Sequence, residues 1–124
     1  MLSFSDMYTA LNVSGVTSTV GTFNSESAVW ANTLIPELYA GDGINFYLSD
    51  AHDARMDIEI YTYIINCRSS NENQSHVIAN AVLTAVNRKS FTDYYISCTV
   101  TGTIPPSDET DDFNTIVNAT LKKR

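Results

Sequence analysis

Between Asp57 and Val86 an apolar repeat of two residues gives way to one of helical spacing, with only a short polar step between them. In DIEIYTYIINC (57–67), Ile58, Ile60, Thr62 and Ile64 alternate with Glu59, Tyr61, Tyr63 and Ile65. β-branched and aromatic residues at a period of two suit a pleated strand with two faces. Arg68 to Glu72 then supplies a turn and a helix start, in which Ser69 and Glu72 fit a capping box. From there Val77, Ile78, Ala81, Val82, Ala85 and Val86 predict one apolar helix face, with Asn73, Gln74, Asn80, Thr84 and Asn87 opposite. A strand feeding a helix this directly predicts a sheet with a helix laid across one side.

The flanking segments extend that unit. Phe4, Met7, Tyr8 and Leu11 share a face of a short N-terminal helix over 3–11, capped through Ser3 and Asp6 and ended by Gly15. Val16 to Ser27 is polar, small and β-prone, an edge strand or an extended loop. Pro36 biases Ile35 toward extended geometry, so no long helix runs through Trp30 to Tyr39. Gly41-Asp42-Gly43 marks a turn before the strand INFYLS (44–49), and the polar stretch Asp50–Met56 joins it to the strand at 57 as a hairpin. Phe91–Ile104 and Phe113–Leu121 alternate as two further strands, separated by Pro105-Pro106 and the acidic loop SDETDD. The expected class is α+β: a mixed, mostly antiparallel sheet, with a central helix at about 70–87 and the short N-terminal helix packed on one face, in a single domain spanning 1–124.

A chain of 124 residues that is 44% hydrophobic can bury a core without disulfides or metals. No apolar run reaches the roughly 18 residues of a membrane span, and the N-terminus has no basic residue to mark a secretory signal. A soluble protein made in the cytosol is expected, and Cys67 and Cys98 read as buried free thiols. The net charge of −7, with seven basic residues, argues against wrapping nucleic acid. An acidic wall can nevertheless let DNA slide past without gripping it.

Little in the sequence resembles catalytic machinery. Asp50, His52, Asp53 and Asp57 cluster in the hairpin connection, but their spacing matches no metal motif and a polar hairpin tip would look the same. There is no P-loop, G-x-G-x-x-G, C-x-x-C or G-x-S-x-G. No catalytic residue, cofactor or metal is expected. Tyr47, Tyr61, Tyr63, Tyr94 and Tyr95 all fall on predicted strands. They serve either ordinary sheet packing or a protein–protein surface, where tyrosine gives contact area at low entropy cost.

From about Ile44 to Arg124 the pattern resembles the tail terminator (tail completion) proteins of long-tailed bacteriophages and their minor-capsid and neck relatives. The residues that carry the resemblance are INFYLS with its hairpin, YTYIINCRSSNENQSHVIANAVLTAV, and the closing TGTIPPSDETDDFNTIVNATLKKR, where Ile116–Leu121 occupies the family's last strand. The segments Gly15–Ser27 and NTLIPELYAG fall outside it.

The resemblance implies a homohexameric ring capping the head-proximal end of a tail tube in the virion. Such a ring would touch the tail tube protein and the head–tail connector or neck protein, with DNA only passing through its lumen. A neck connector is the neighbouring possibility, and a small acidic immunity or inhibitor-type protein is one of a different class. In the ring reading, Asp108, Glu109, Asp111 and Asp112 of the acidic loop, the tail Lys122-Lys123-Arg124, and Tyr61 with Tyr63 are the expected contact residues.

Overall fold

The computed structural model describes residues 4–31, 39, 41–54, 58–87, 94–107 and 112–123, with the backbone alone of 4–6, 50–54, 58, 59, 94 and 123. The elements in chain order are helices α1 (Phe4–Leu11) and α2 (Ser14–Thr17), strands β1 (Thr22–Phe23), β2 (Glu26–Ser27), β3 (Val29–Ala31), β4 (Gly43–Ala54) and β5 (Ile58–Ser69), helix α3 (Glu72–Val86), and strands β6 (Tyr94–Ile104) and β7 (Phe113–Lys123). Five strands form one sheet in the order β3-β4-β5-β7-β6, antiparallel except where β3 lies parallel to β4. The class is the α+β expected.

Period-two alternation divides the sheet's residues between two faces. On one, Ile44 and Phe46 of β4, Tyr61, Tyr63, Ile65 and Cys67 of β5, Val117, Ala119 and Leu121 of β7, and Ile96 and Cys98 of β6 are buried. They pack with Ile78, Ala79, Val82 and Val86 of α3 and with Met7, Ala10 and Leu11 of α1. Phe46 and Tyr63 meet at the centre with ring centroids 6.4 Å apart.

Several sequence expectations are corrected here. The helix cap is Asn71, whose side chain accepts the Gln74 N–H, and not Ser69. β5 runs on to Ser69, still paired with Phe113, so the cap falls two residues later, at Asn71. The buried face of α3 is Ser75, Ile78, Ala79, Val82 and Val86, while Val77 is 48% exposed. Spacings of three and four from Ser75 point at the sheet, and Val77 lies off that stripe. Gly15 belongs to α2 rather than ending α1. Val16–Ser27 divides into the end of α2 and the β1–β2 hairpin, whose turn residues Asn24 and Ser25 take φ of 50° and 67° as a two-residue primed turn requires. β4 is longer than expected and carries Asp50 to Ala54 within the strand, bulged between Leu48 and Asp50. The Ser3–Asp6 cap and the hairpin tip at 55–57 lie outside the described residues.

The parallel strand β3 seats the only tryptophan beside the start of β4. Trp30 packs against Tyr39 at 4.9 Å between centroids, and Tyr39 in turn meets Phe23 at 5.9 Å. Gly43 makes room for the indole, since a Cβ there would stand 3.2 Å from the ring.

Both cysteines are free and buried. Burial pushes the Cys67 thiol up to about 12 and the Cys98 thiol up to about 11, from an ordinary 9.0. Both native thiols are expected to react slowly with alkylating agents at pH 8, and stability to fall as pH rises above about 9. There the unfolded chain releases thiol protons that the folded chain retains, so proton loss favours unfolding. Alkylation as fast as that of the urea-unfolded chain would show that these thiols are open to solvent. Among the described residues no helix is long and apolar enough to cross a membrane.

Candidate interaction surface

Two polar clusters flank α3, and their hydrogen bonds show what each can do. In the first, His76 Nε2 lies 3.0 Å from Thr103 Oγ1, Thr103 lies 3.0 Å from Thr115 Oγ1, and Thr115 lies 2.9 Å from Ser75 Oγ. The Ser75 hydroxyl also reaches the Glu72 carbonyl at 2.7 Å. This chain of hydroxyls borders a hollow of about 260 Å³ also lined by Ala79, Asn80 and Val100. Ser75 is separated from the imidazole by two threonines and donates to a carbonyl, so it is not an activated nucleophile. The cluster satisfies polar groups buried where α3 crosses the sheet, and it ties helix to strand.

The second cluster closes the start of α3. Ser69 Oγ donates to Asp42 Oδ1 at 2.6 Å and accepts the Asn71 N–H at 3.1 Å. Gln74 Nε2 donates to the Thr19 carbonyl at 2.9 Å, binding α3 to the end of α2. The Tyr39 hydroxyl donates to the Asp42 carbonyl, and its acidity is lowered first by burial and then by the Asp42 charge. A hollow of about 430 Å³ opens here, between Asp42, Ser69–Asn71, Asn73, Gln74 and Val77. The positive end of the helix already faces a carboxylate and is capped by Asn71, which leaves little to attract a second anion.

No group of three or more metal-ligating side chains exists among the described residues. Of the hairpin set, Asp50 and His52 hold register positions opposite Thr62 and Ile60, whereas Asp53 sits opposite Glu59 at the alternate position, and Asp57 lies outside the described residues.

The second face of the sheet is the larger feature. No described helix lies on it. Its rows follow from the pairing: Gly43–Arg68–Asn114–Ile104, Asn45–Asn66–Ile116–Gly102 and Tyr47–Ile64–Asn118–Thr99. Asn114 Nδ2 donates to Asn66 Oδ1 at 3.1 Å. Arg68 Nε, Asn114 Oδ1 and Asn118 Oδ1 are buried with no hydrogen-bond partner among the described residues. Isoleucines alternate here with amides.

Exposed apolar side chains gather beside it. Among the described residues the exposed large hydrophobic ones are Val13, Val77, Tyr95, Val100 and Ile104, and the last three all lie on β6. Between Tyr94 and Ile104 this outermost strand has no charged residue and no proline. That absence was available in the sequence, but the sequence did not reveal that β6 is an edge.

Those of the expected contact residues that are described do not lie together. Tyr61 and Tyr63 are 8% and 0% exposed on the helix-covered face, so they are core residues and not part of a surface. They share the alternation of Ile65 and Cys67, which α3 covers. Asp112 is half-buried just before β7, and Lys122 is exposed near its far end. At about 3.3 Å per residue the two lie roughly 30 Å apart. Lys123 is paired with Tyr94, while Asp108, Glu109, Asp111 and Arg124 lie outside the described residues.

No protein-family model matches this chain, and no curated protein matches it in sequence. In three dimensions it is similar to a chain from the virion of a native gene transfer agent particle. The TM-score is 0.60 over 94% of this chain and 89% of that one, at 14% sequence identity. At that identity the two share a fold.

Proposed function

We propose that this chain is a structural component of a phage-like virion. It forms a ring that caps the head-proximal end of a tail tube, ends tube polymerisation and offers a docking surface to the head or neck. The observation that carries the reading is the near end-to-end fold similarity to a chain of a gene transfer agent virion. The sequence pattern from Ile44 to Arg124 supports it independently, because it resembles the tail terminator family. The polar clusters around α3 act in packing, so complementarity of surfaces does the work and no cofactor takes part.

In this reading the ring touches itself, the last ring of tail tube protein and the head–tail connector, with DNA only passing through. Particles assembled without this chain settle the matter. Electron microscopy should show tails of uncontrolled length and heads lacking attached tails. Normal tails of fixed length joined to heads would refute the assignment.

A further inference from the structure

We infer that Tyr39 is a latch: it holds the β1–β2 hairpin and β3 closed as one unit against the start of β4. Its release opens that unit while the β4-β5-β7-β6 sheet stays folded.

Residues on both sides of the β3–β4 connection build the seat of Tyr39. Phe23 of β1 and Trp30 of β3 meet its ring edge to face, at 5.9 and 4.9 Å between centroids. Glycines leave the rest of the space. A Cβ on Gly21 would stand 2.6 Å from the Tyr39 hydroxyl, and one on Gly41 3.0 Å from it. One on Gly43 would stand 3.4 Å from the edge of the ring. Larger residues at these positions would take up the volume that the phenol fills.

The hydroxyl closes a junction at Asp42. It donates to the Asp42 carbonyl, which also accepts the Gly21 N–H at 3.0 Å. A carbonyl oxygen has two lone pairs, so both donors are accommodated. The Gly21 carbonyl accepts the Ala28 N–H at 2.9 Å, and the Ala28 carbonyl accepts the Ile44 N–H at 2.8 Å. Gly21, Ala28 and Ile44 are thus strung on one hydrogen-bonded line from the hairpin to β4. The Asp42 carboxylate accepts the Ser69 hydroxyl at 2.6 Å, which fastens the junction to the end of β5. Tyr39 is the side chain that joins the aromatic seat to this line.

The unit has the means to open by itself. Among the described residues β3 pairs with β4 over three positions, and β1 and β2 form a small sheet of their own. β4–β5, β5–β7 and β6–β7 pair along nearly their whole lengths. Short peripheral pairing opens at a lower free energy than long ladders at the centre of a sheet. Ala28 and Val29 are buried, which makes the closed form the ground state.

Gly21 and the hydroxyl compete for one space, and that supplies the test. Gly21→Ala must displace the hydroxyl, whereas Tyr39→Phe removes it. The new methyl then has the ring carbon Cζ and the Asp42 carbonyl oxygen at 3.7 Å, an ordinary contact. Amide hydrogen exchange of the full chain is followed by mass spectrometry in the two single variants and the double. Emission of Trp30, the only tryptophan, is read alongside. Gly21→Ala should speed exchange over residues 21–31 about tenfold and shift the emission to the red, with β5 and β7 unchanged. Tyr39→Phe keeps the ring and loses one hydrogen bond, so exchange there should rise only about threefold. The double variant should return to the level of Tyr39→Phe, because the methyl fits where the hydroxyl was.

Effects that multiply in the double variant would show that Gly21 does not make room for this hydroxyl, and would overturn the latch. So would a Gly21→Ala chain that exchanges like the wild type. Exchange that rises equally in β5 and β7 makes the opening global and overturns the separate unit. If Gly21→Ala does not fold, recovery of folding in the double variant supports the latch, and failure to recover overturns it. A Tyr39→Phe chain that does not fold overturns it as well.

Discussion

Tyr63→Ala is expected to bring the protein close to unfolding. Tyr63 is the largest of the fully buried side chains among the described residues, at the middle of β5 between Leu48 and Ala119, with the Phe46 ring beside it, under α3. Truncating a large buried aromatic side chain costs about 3–5 kcal/mol, part from lost transfer energy and part from the cavity left behind. A domain of ordinary stability holds only about 5–15 kcal/mol in total. Urea titration of wild type, Tyr63→Ala and Tyr95→Ala makes the comparison. Tyr95 is 39% exposed on β6, so its truncation should cost well under 1 kcal/mol in a monomer. Equal midpoints for the two variants would mean that Tyr63 is not the core residue described, and its role at an interface would reopen.

Proline gives the second large effect, because an interior strand of the sheet cannot yield a hydrogen bond. β7 is flanked by β5 and β6, and Asn118 lies opposite Ile64 on one side and Thr99 on the other. Wherever its N–H points, there is a strand to receive it. Asn118→Pro should therefore cost about 3 kcal/mol or more, through the lost ladder bond and the ring's clash. At Val100, on the outer edge and beside a bulge, the same residue should cost little in folding. Thermal melts of the two variants at a concentration that keeps the wild type monomeric would test this. Equal destabilisation would contradict the strand order β5-β7-β6.

The parts of this fold legible in the sequence are those specified by local periodicity. The β5–α3 unit, the long strands and the antiparallel hairpin follow from alternation that each segment carries within itself. Long-range geometry was less visible. β3 has three residues and joins the sheet in parallel, so no local pattern announces it. The β1–β2 hairpin turns on Asn24-Ser25, which carries no glycine to signal the left-handed backbone. The tyrosines show the same limit: the alternation of β5 separates Tyr61 and Tyr63 from Ile60 and Ile64 but does not say which set a helix covers. The exposure of β6 depends on the strand order, to which residues far apart in the chain contribute.

That strand order also constrains the moment at which the protein can fold during synthesis. β7 is the last of the elements to be made, yet it sits between β5 and β6, the two strands it holds together. Until residues through Lys123 have left the ribosome, β5 lacks a neighbour on one side and β6 has none among the sheet's strands. Long-range strand insertion of this kind delays the cooperative step of folding. Nascent chains stalled with β7 still inside the exit tunnel should be cut readily by protease, and chains released beyond it should resist. Resistance before β7 emerges would show that the earlier strands form a stable sheet unaided. A chain made this way presents its finished sheet only after β7 has emerged.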